Sequence, residues 1–344
     1  MVHMRIVVPS HQTDHVLELL EHLPSACNVI FLERAARKPE GDVILCDVAR
    51  EDASVIVSDL RELDVDTEGS IAIEHIDSAI SAVATRAERA AEGSAGDAVV
   101  WEEVESRTSE NIELNGVFLA FFALACLIAS VGILLDSPIL IIGAMIVGPE
   151  FGPIAGLCVA LVQRRRDVAR RSFTALAVGF PVGITAAFVF ALVVRAVDLT
   201  PSGFAVTEHP LTDFISHPDE FSFIVAVFAG VAGTLSLTAA KSGALVGVLV
   251  SVTTIPAAAN IGVAAAFTEW SEWRGALLQL GVNLTAILLA GIATLFVQRL
   301  LYVRRRRAHL HDSAREAAGL PLGRSRRVGS SSYRRPVDEA EAPR

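Results

Sequence analysis

Six apolar runs dominate the chain: Gly116–Leu135, Ile139–Val162, Phe173–Val197, Phe221–Ala240, Ser242–Phe267 and Gly275–Leu301. A helix needs about 20 apolar residues to cross a hydrocarbon core of ~30 Å, and each run is near or above that length. The second and fifth are long enough to tilt, kink or re-enter. A chain that is 52% hydrophobic, with mean hydropathy +0.49, is also too apolar for an ordinary pair of soluble domains. The expected body is therefore an all-α membrane domain of six transmembrane helices over residues 115–301.

Charge is divided along the chain. Residues 1–114 carry 24 acidic and 9 basic side chains, and the tail from Arg299 carries 12 arginines against 5 acids. The loop after the second run reads QRRRDVARR and the chain leaves the sixth as YVRRRR, whereas Asp198–Glu220 holds five acids and no Lys or Arg. Placing the arginine-rich loops inside puts both termini in the cytoplasm of a multi-pass plasma-membrane protein, with Trp270 and Trp273 in an outer interfacial belt. Spans one to three and spans four to six then run in opposite directions, so two inverted three-helix halves are geometrically allowed. The start MVHMRIVVPSHQTDH lacks the basic and apolar regions of a cleavable leader.

The second run, ILIIGAMIVGPEFGPIAGLCVALV, carries Glu150 between Pro149 and Pro153. At about 1.5 Å per residue the acid lies ~16–18 Å from Pro138, near mid-membrane, where a charge costs several kcal/mol unless it faces a cavity or partner. The prolines, with Gly148 and Gly152, break or loosen the helix at that depth. The fifth run is the positional counterpart and is interrupted by Thr253, Thr254, Pro256 and Asn260. Interrupted spans at matching positions of two halves point to a central transport site. The candidate transport or binding residues are Glu150, Pro149, Pro153, Gly148, Gly152, Thr254, Pro256 and Asn260. Small residues at four-residue spacing (Ala144, Gly148, Gly152, Gly156; Gly243, Gly247, Ser251) also serve close helix packing, and most of these glycines are assigned to it. A carboxylate or an amide is not needed for packing. Gln279 and Asn283 line the same cavity or bond between helices.

Residues 1–77 read as βαββαβ: strands Arg5–Pro9, Asn28–Glu33, Asp42–Val48 and Ser70–Ile76, helices Thr13–Leu23 and Asp52–Leu63, and ARKPEG as the central turn. That order is the split βαβ, a small α+β ferredoxin-like domain resembling ACT-type regulatory modules. Residues 78–114 read as a two-helix stalk with Val100, Val104 and Ile112 as its packing stripe and Trp101 as a packing residue. Residues 302–344 read as a basic, disordered tail facing lipid. Cys27, Cys46, Cys126 and Cys158 have no CxxC spacing and are expected to be buried thiols. No metal or other cofactor is expected, and His11, His15 and His22 read as a solvated face.

The run IGAMIVGPEFGPIAGL (Ile142–Leu157) resembles the signature of a prokaryotic multi-pass membrane family known as an uncharacterised hydrophobic domain. Gly143, Ala144, Met145, Pro149, Gly152, Pro153 and Ile154 carry the likeness, with Gly247, Pro256 and Gly262 in the second half. The resemblance covers roughly residues 115–300 and implies a membrane location without an activity. With no GxSxG, HExxH or Walker loop, the chain is not expected to be an enzyme. The expected function is a secondary transporter or ion- or proton-coupled carrier with a cytoplasmic regulatory or oligomerising head. The alternative is a non-transporting scaffold or sensor. Expected partners are the lipid bilayer, an unknown small solute or ion and further copies of the chain, with no nucleic acid.

Overall fold

The computed structural model describes residues 1–76, 80–91, 98–200, 211–212, 215–217, 219–239 and 253–325. The chain divides into two units, residues 1–101 with 300–344, and residues 102–299.

The first unit begins β1 (Val2–Val8), α1 (Thr13–His22), β2 (Ala26–Arg37), β3 (Glu40–Val48), α2 (Arg50–Glu62), a four-residue α3 (Val65–Glu68) and β4 (Ser70–His75). The strands form one sheet in the order β2-β3-β1-β4, and every neighbouring pair is antiparallel. The order is the expected βαββαβ with α3 added. Burial alternates along β1, so Val2, Met4, Ile6 and Val8 face inward and meet Val16, Leu19 and Leu20 of α1 and Ile56 and Leu60 of α2. The β2–β3 turn is tighter than ARKPEG implied. Ala36 pairs with Gly41 and Arg37 with Glu40, because the ladder extends into residues whose side chains are merely solvated.

Asp42 on β3 accepts hydrogen bonds from the Thr13 hydroxyl at 2.6 Å and from the Arg34 backbone N–H at 2.7 Å. The Thr13 bond, then the Arg34 bond, hold its carboxyl below the ordinary carboxylate range. A depressed carboxylate stabilises the fold above that range, and the contribution is lost as pH falls through it. Asp42→Asn is thus expected to lower stability at pH 7 by about 1 kcal/mol and to flatten its fall toward pH 3, read by thermal unfolding at both pH values. Burial raises the Cys27 thiol and pushes that of Cys46 up to about 12. All four cysteines are buried and unpaired.

The two helices expected in 78–114 are present among the described residues, and they pack on different units. Helix α4 (Ala82–Ala90) packs Ala84 and Ala87 against Cys27 and Met1 of the first unit, and the Met1 ammonium lies 3.2 Å from Glu88. Val100 joins the same unit's core, whereas Ile112, at the end of α5 (Trp101–Asn111), packs on Ala160 and Val168 of the second. The basic tail is also ordered as far as Ser325. A helix running to His309 is followed by a one-turn helix, Ser313–Ala317, whose Ala314, with Ala318 and Leu320, enters the sheet's core. Arg315 is fully buried, bonds to Asp59 and donates to Glu62 at 2.8 Å. Arg306 reaches the same two carboxylates at 2.5 and 2.7 Å, and a ring nitrogen of His309 lies 2.7 Å from Asp59. Residues 326–344 lie outside the described residues.

The second unit holds α6 (Gly116–Leu134), α7 (Pro138–Val147), α8 (Phe151–Gln163), α9 (Arg166–Ala196), α10 (Glu220–Thr238), α11 (Thr254–Phe267) and α12 (Trp270–His309), the last contributing to both units. Four of these are long and apolar enough to cross a membrane, and α7 with α8, bent by 52°, makes a fifth if counted as one span. The expected six are not reached among the described residues: 242–252 of the fifth run lie outside them, and the described remainder is the 14-residue α11. Phe173, Phe221, Phe228, Leu278 and Leu289 are each more than half exposed, as a lipid-facing surface requires. Pro181 sits inside a helix assigned without interruption from Arg166 to Ala196.

The helices repeat at a near-constant interval. Helix α6 starts after Asn115, whose side chain accepts the Phe118 N–H. Helix α10 starts after Asp219, whose side chain accepts the Ser222 N–H, and both helices have 19 residues. Helices α8 and α11 have 13 and 14 residues, and each ends on a left-handed residue, Arg164 and Thr268. The long helices α9 and α12 begin two residues later in both cases. Helix α11 is buried along almost its whole length against α9, α6 and α7. Gly262 permits this, because a Cβ there would lie 2.6 Å from the Ile184 carbonyl oxygen and 2.7 Å from the Phe188 nitrogen.

Candidate functional site

The site forms where two helices begin inside the apolar unit. Gly148 leaves α7 with an extended backbone (ψ 129°), and Glu150 precedes the first residue of α8. Thr253 precedes the first residue of α11. Counting from these positions, Pro153 and Pro256 each stand third in their helix. A proline there gives up an N–H that would have no intrahelical acceptor, and its fixed φ suits the first turn. Neither start has a side-chain cap.

Glu150 is 4% exposed, and its Oε1 accepts a hydrogen bond from the Thr254 hydroxyl at 2.7 Å. Its Oε2 has no hydrogen-bond partner among the described residues. A Cβ at Gly148 would come within 2.4 Å of that oxygen and 2.6 Å of Ile255 Cγ1, so glycine is what lets the carboxylate lie against the break. Beside Thr254, the Thr253 hydroxyl oxygen accepts from Asn283 at 2.7 Å and from Gln279 at 3.4 Å, tying α12 to the start of α11. Gln279 and Asn283 are buried at 1% and 2% exposure, and Gln279 Oε1 has no described partner.

The candidate residues separate accordingly. Glu150 meets Thr254 directly and lies against Gly148. Pro149, Gly152 and Pro153 belong to the same break, and Pro256 to the facing helix start. Asn260 is buried farther along α11 with its Oδ1 unpartnered, and no described contact joins it to Glu150. Thr253 and Ile255 were not singled out as site residues. Thr253 was legible as a neighbour of Thr254, but Ile255 reads as ordinary core until its approach to Gly148 is seen. Among the described residues no group of three or more His, Cys, Asp or Glu side chains is placed to hold a metal ion.

Residues 145–289 match the family model described as Domain of unknown function (DUF389). The match takes in both helix starts and the Gln279 and Asn283 amides, and lies within the 115–300 stretch of the resemblance to a membrane family without assigned activity. An uncharacterized protein of Methanocaldococcus jannaschii, MJ0678, is 26% identical over 204 residues, 56% of this chain. The chain spans 58% of that relative's length. No solved structure matches.

Proposed function

We propose that the second unit is a secondary transporter, an ion- or proton-coupled carrier, rather than an enzyme. The observation that carries the reading is the Glu150–Thr254 contact: a buried carboxylate at the meeting of two interrupted apolar segments. Intramembrane acids are costly and mark ion or proton pathways by default. Unwound breaks with facing half-helix starts are how carriers bring polar backbone to mid-membrane.

In this reading the chain has six spans, the fifth being the apolar run Ser242–Phe267 read from the sequence. The helix recurrence relates two three-span halves, 115–197 and 219–301, of opposite orientation. The arginine-rich loops place both termini in the cytoplasm of a plasma-membrane protein. The first unit is an ACT-like regulatory or oligomerising head, and its partners are the bilayer, a small solute or ion and other copies of the chain.

The test is Glu150→Gln in proteoliposomes. The substitution keeps size and the Thr254 bond but removes the titration. Wild-type protein should show pH-dependent ion flux above empty vesicles, and the variant should lose that pH dependence. Equal pH-dependent flux in both proteins would sink the reading.

A further inference from the structure

Burial and contacts in the second unit repeat at a spacing of 104 residues, the separation of Glu150 from Thr254. All eight buried residues of α10 stand 104 after a buried residue of α6, and seven of the nine buried residues of α9 have a buried counterpart in α12 at that interval. Polar detail repeats too: the Ser130 hydroxyl donates to the Cys126 carbonyl and the Thr234 hydroxyl to the Gly230 carbonyl, both at 2.8 Å.

Contacts between the halves are exchanged in the same way. Gly262 of α11 packs against the Ile184 carbonyl of α9, and its counterpart Cys158 of α8 donates to the Leu288 carbonyl of α12 at 3.7 Å. A relation that carries the first half onto the second, and the second back onto the first, is a two-fold. Glu150 and Thr254 are counterparts of each other, so their contact lies on its axis.

The exchange also relates two arginines. Arg195 donates to the carbonyl of Ala266 at 2.8 Å, and Arg299 donates to the carbonyl of Val162. Each arginine stands 29 residues after the first residue of its helix, α9 or α12. Each acceptor is the next-to-last residue of its helix, α11 or α8. A carbonyl there has no intrahelical donor and the helix dipole is negative, so a cation is favoured. Arg195 also lies over the Phe267 ring, 5.9 Å from its centre.

Resting on the carrier reading, we infer that these two bonds are paired gates: Arg195 latches α11 shut on one side of the membrane, and Arg299 latches α8 shut on the other. Helices α8 and α11 both start beside the Glu150–Thr254 contact and end at their latches. In the six-span reading α9 ends outside and α12 inside, so Arg195 guards the outer approach and Arg299 the inner one. Each latch ties one half to the other. Releasing one lets the halves part at that face while the other bond keeps the opposite face closed. The two-fold makes the two openings equivalent in kind, as rocking of inverted halves about a fixed central site requires.

The experiment reads access to the centre. In the full chain Thr254→Cys is the reporter, since Thr254 is 1% exposed and lies on the axis. A membrane-impermeant maleimide is applied to right-side-out and inside-out vesicles, and protein without the reporter gives the background of native thiols. With both arginines present the reporter should label slowly from either side. Arg195→Ala should speed labelling about tenfold or more from outside only, and Arg299→Ala by as much from the cytoplasmic side only, as loss of a hydrogen bond from a charged donor shifts a closed gate. Where an alanine variant does not fold, the glutamine variant, which loses the charge and the reach, is read in its place. Unchanged labelling, a rise from the opposite side, or a rise from both sides at once overturns the gates and leaves the arginines as helix caps. Sided access without pH-dependent flux in proteoliposomes keeps the gates and overturns the carrier reading. Flux without sided access keeps the carrier and overturns the gates.

Discussion

Arg315→Ala is expected to cost the first unit about 3–5 kcal/mol, a large fraction of the ~5–15 kcal/mol that holds an ordinary domain folded. Arg315 is fully buried and bonds both Asp59 and Glu62, which are themselves 0% and 3% exposed. Removing it takes away the group that bonds both carboxylates at once, leaving Arg306 as the other arginine on the pair beside His309 and the Ser325 hydroxyl, and an uncompensated buried charge is far costlier than the ion pair is favourable. The measurement is thermal unfolding of the detergent-solubilised chain, with protease sensitivity of residues 1–76 as a local readout. Arg315→Lys should recover part of the loss, since a point charge replaces a fork that reaches two acids at once. The double variant Glu62→Gln, Arg315→Met should lie well above Arg315→Ala, because Asp59 then keeps Arg306 as its partner and no second carboxylate is left over. If Arg315→Ala melts with the wild type, the C-terminal segment does not hold the first unit together.

That cluster also shows where sequence reading ends. The order of the strands was legible, but the first was expected at Arg5–Pro9 and runs Val2–Val8: burial alternates along it, whereas Val7 blurs the alternation in the sequence itself. Glu150 was legible because a carboxylate in an apolar run has no packing reason to be there. Arg306, His309 and Arg315 look like any basic tail until Asp59 and Glu62, far away in the chain, are seen to be buried beneath them. Charge counts carry no information on which charges meet. The packing of α4 was hidden for a related reason: Ala84 and Ala87 form too short an apolar face to announce a partner, yet they cover Cys27. The six-run count rested on composition, which marks apolar length but not where a helix stops. The break near Gly148 was legible from Pro149 and Pro153, but its packing against Ile255 and Thr254 depends on the tertiary structure.

Gly148→Ala is expected to abolish pH-dependent flux about as fully as Glu150→Gln, while costing about 1–3 kcal/mol of stability by overpacking. The added methyl would stand 2.4 Å from Glu150 Oε2 and 2.6 Å from Ile255 Cγ1, so the carboxylate must swing away or the helix starts must part. Either movement lengthens the 2.7 Å contact between Glu150 and Thr254. A small-residue stripe used for packing alone gives a different result: stability falls, but the pH profile of the surviving flux is unchanged. Coupling with Glu150→Ala separates the two causes, because that truncation removes the nearer clash. Gly148→Ala should then destabilise the Glu150→Ala background by less than it destabilises the wild type, with an interaction energy of about 0.5–3 kcal/mol. Equal costs in both backgrounds would mean that the methyl meets Ile255 alone and that Gly148 serves helix packing rather than the placement of the carboxylate.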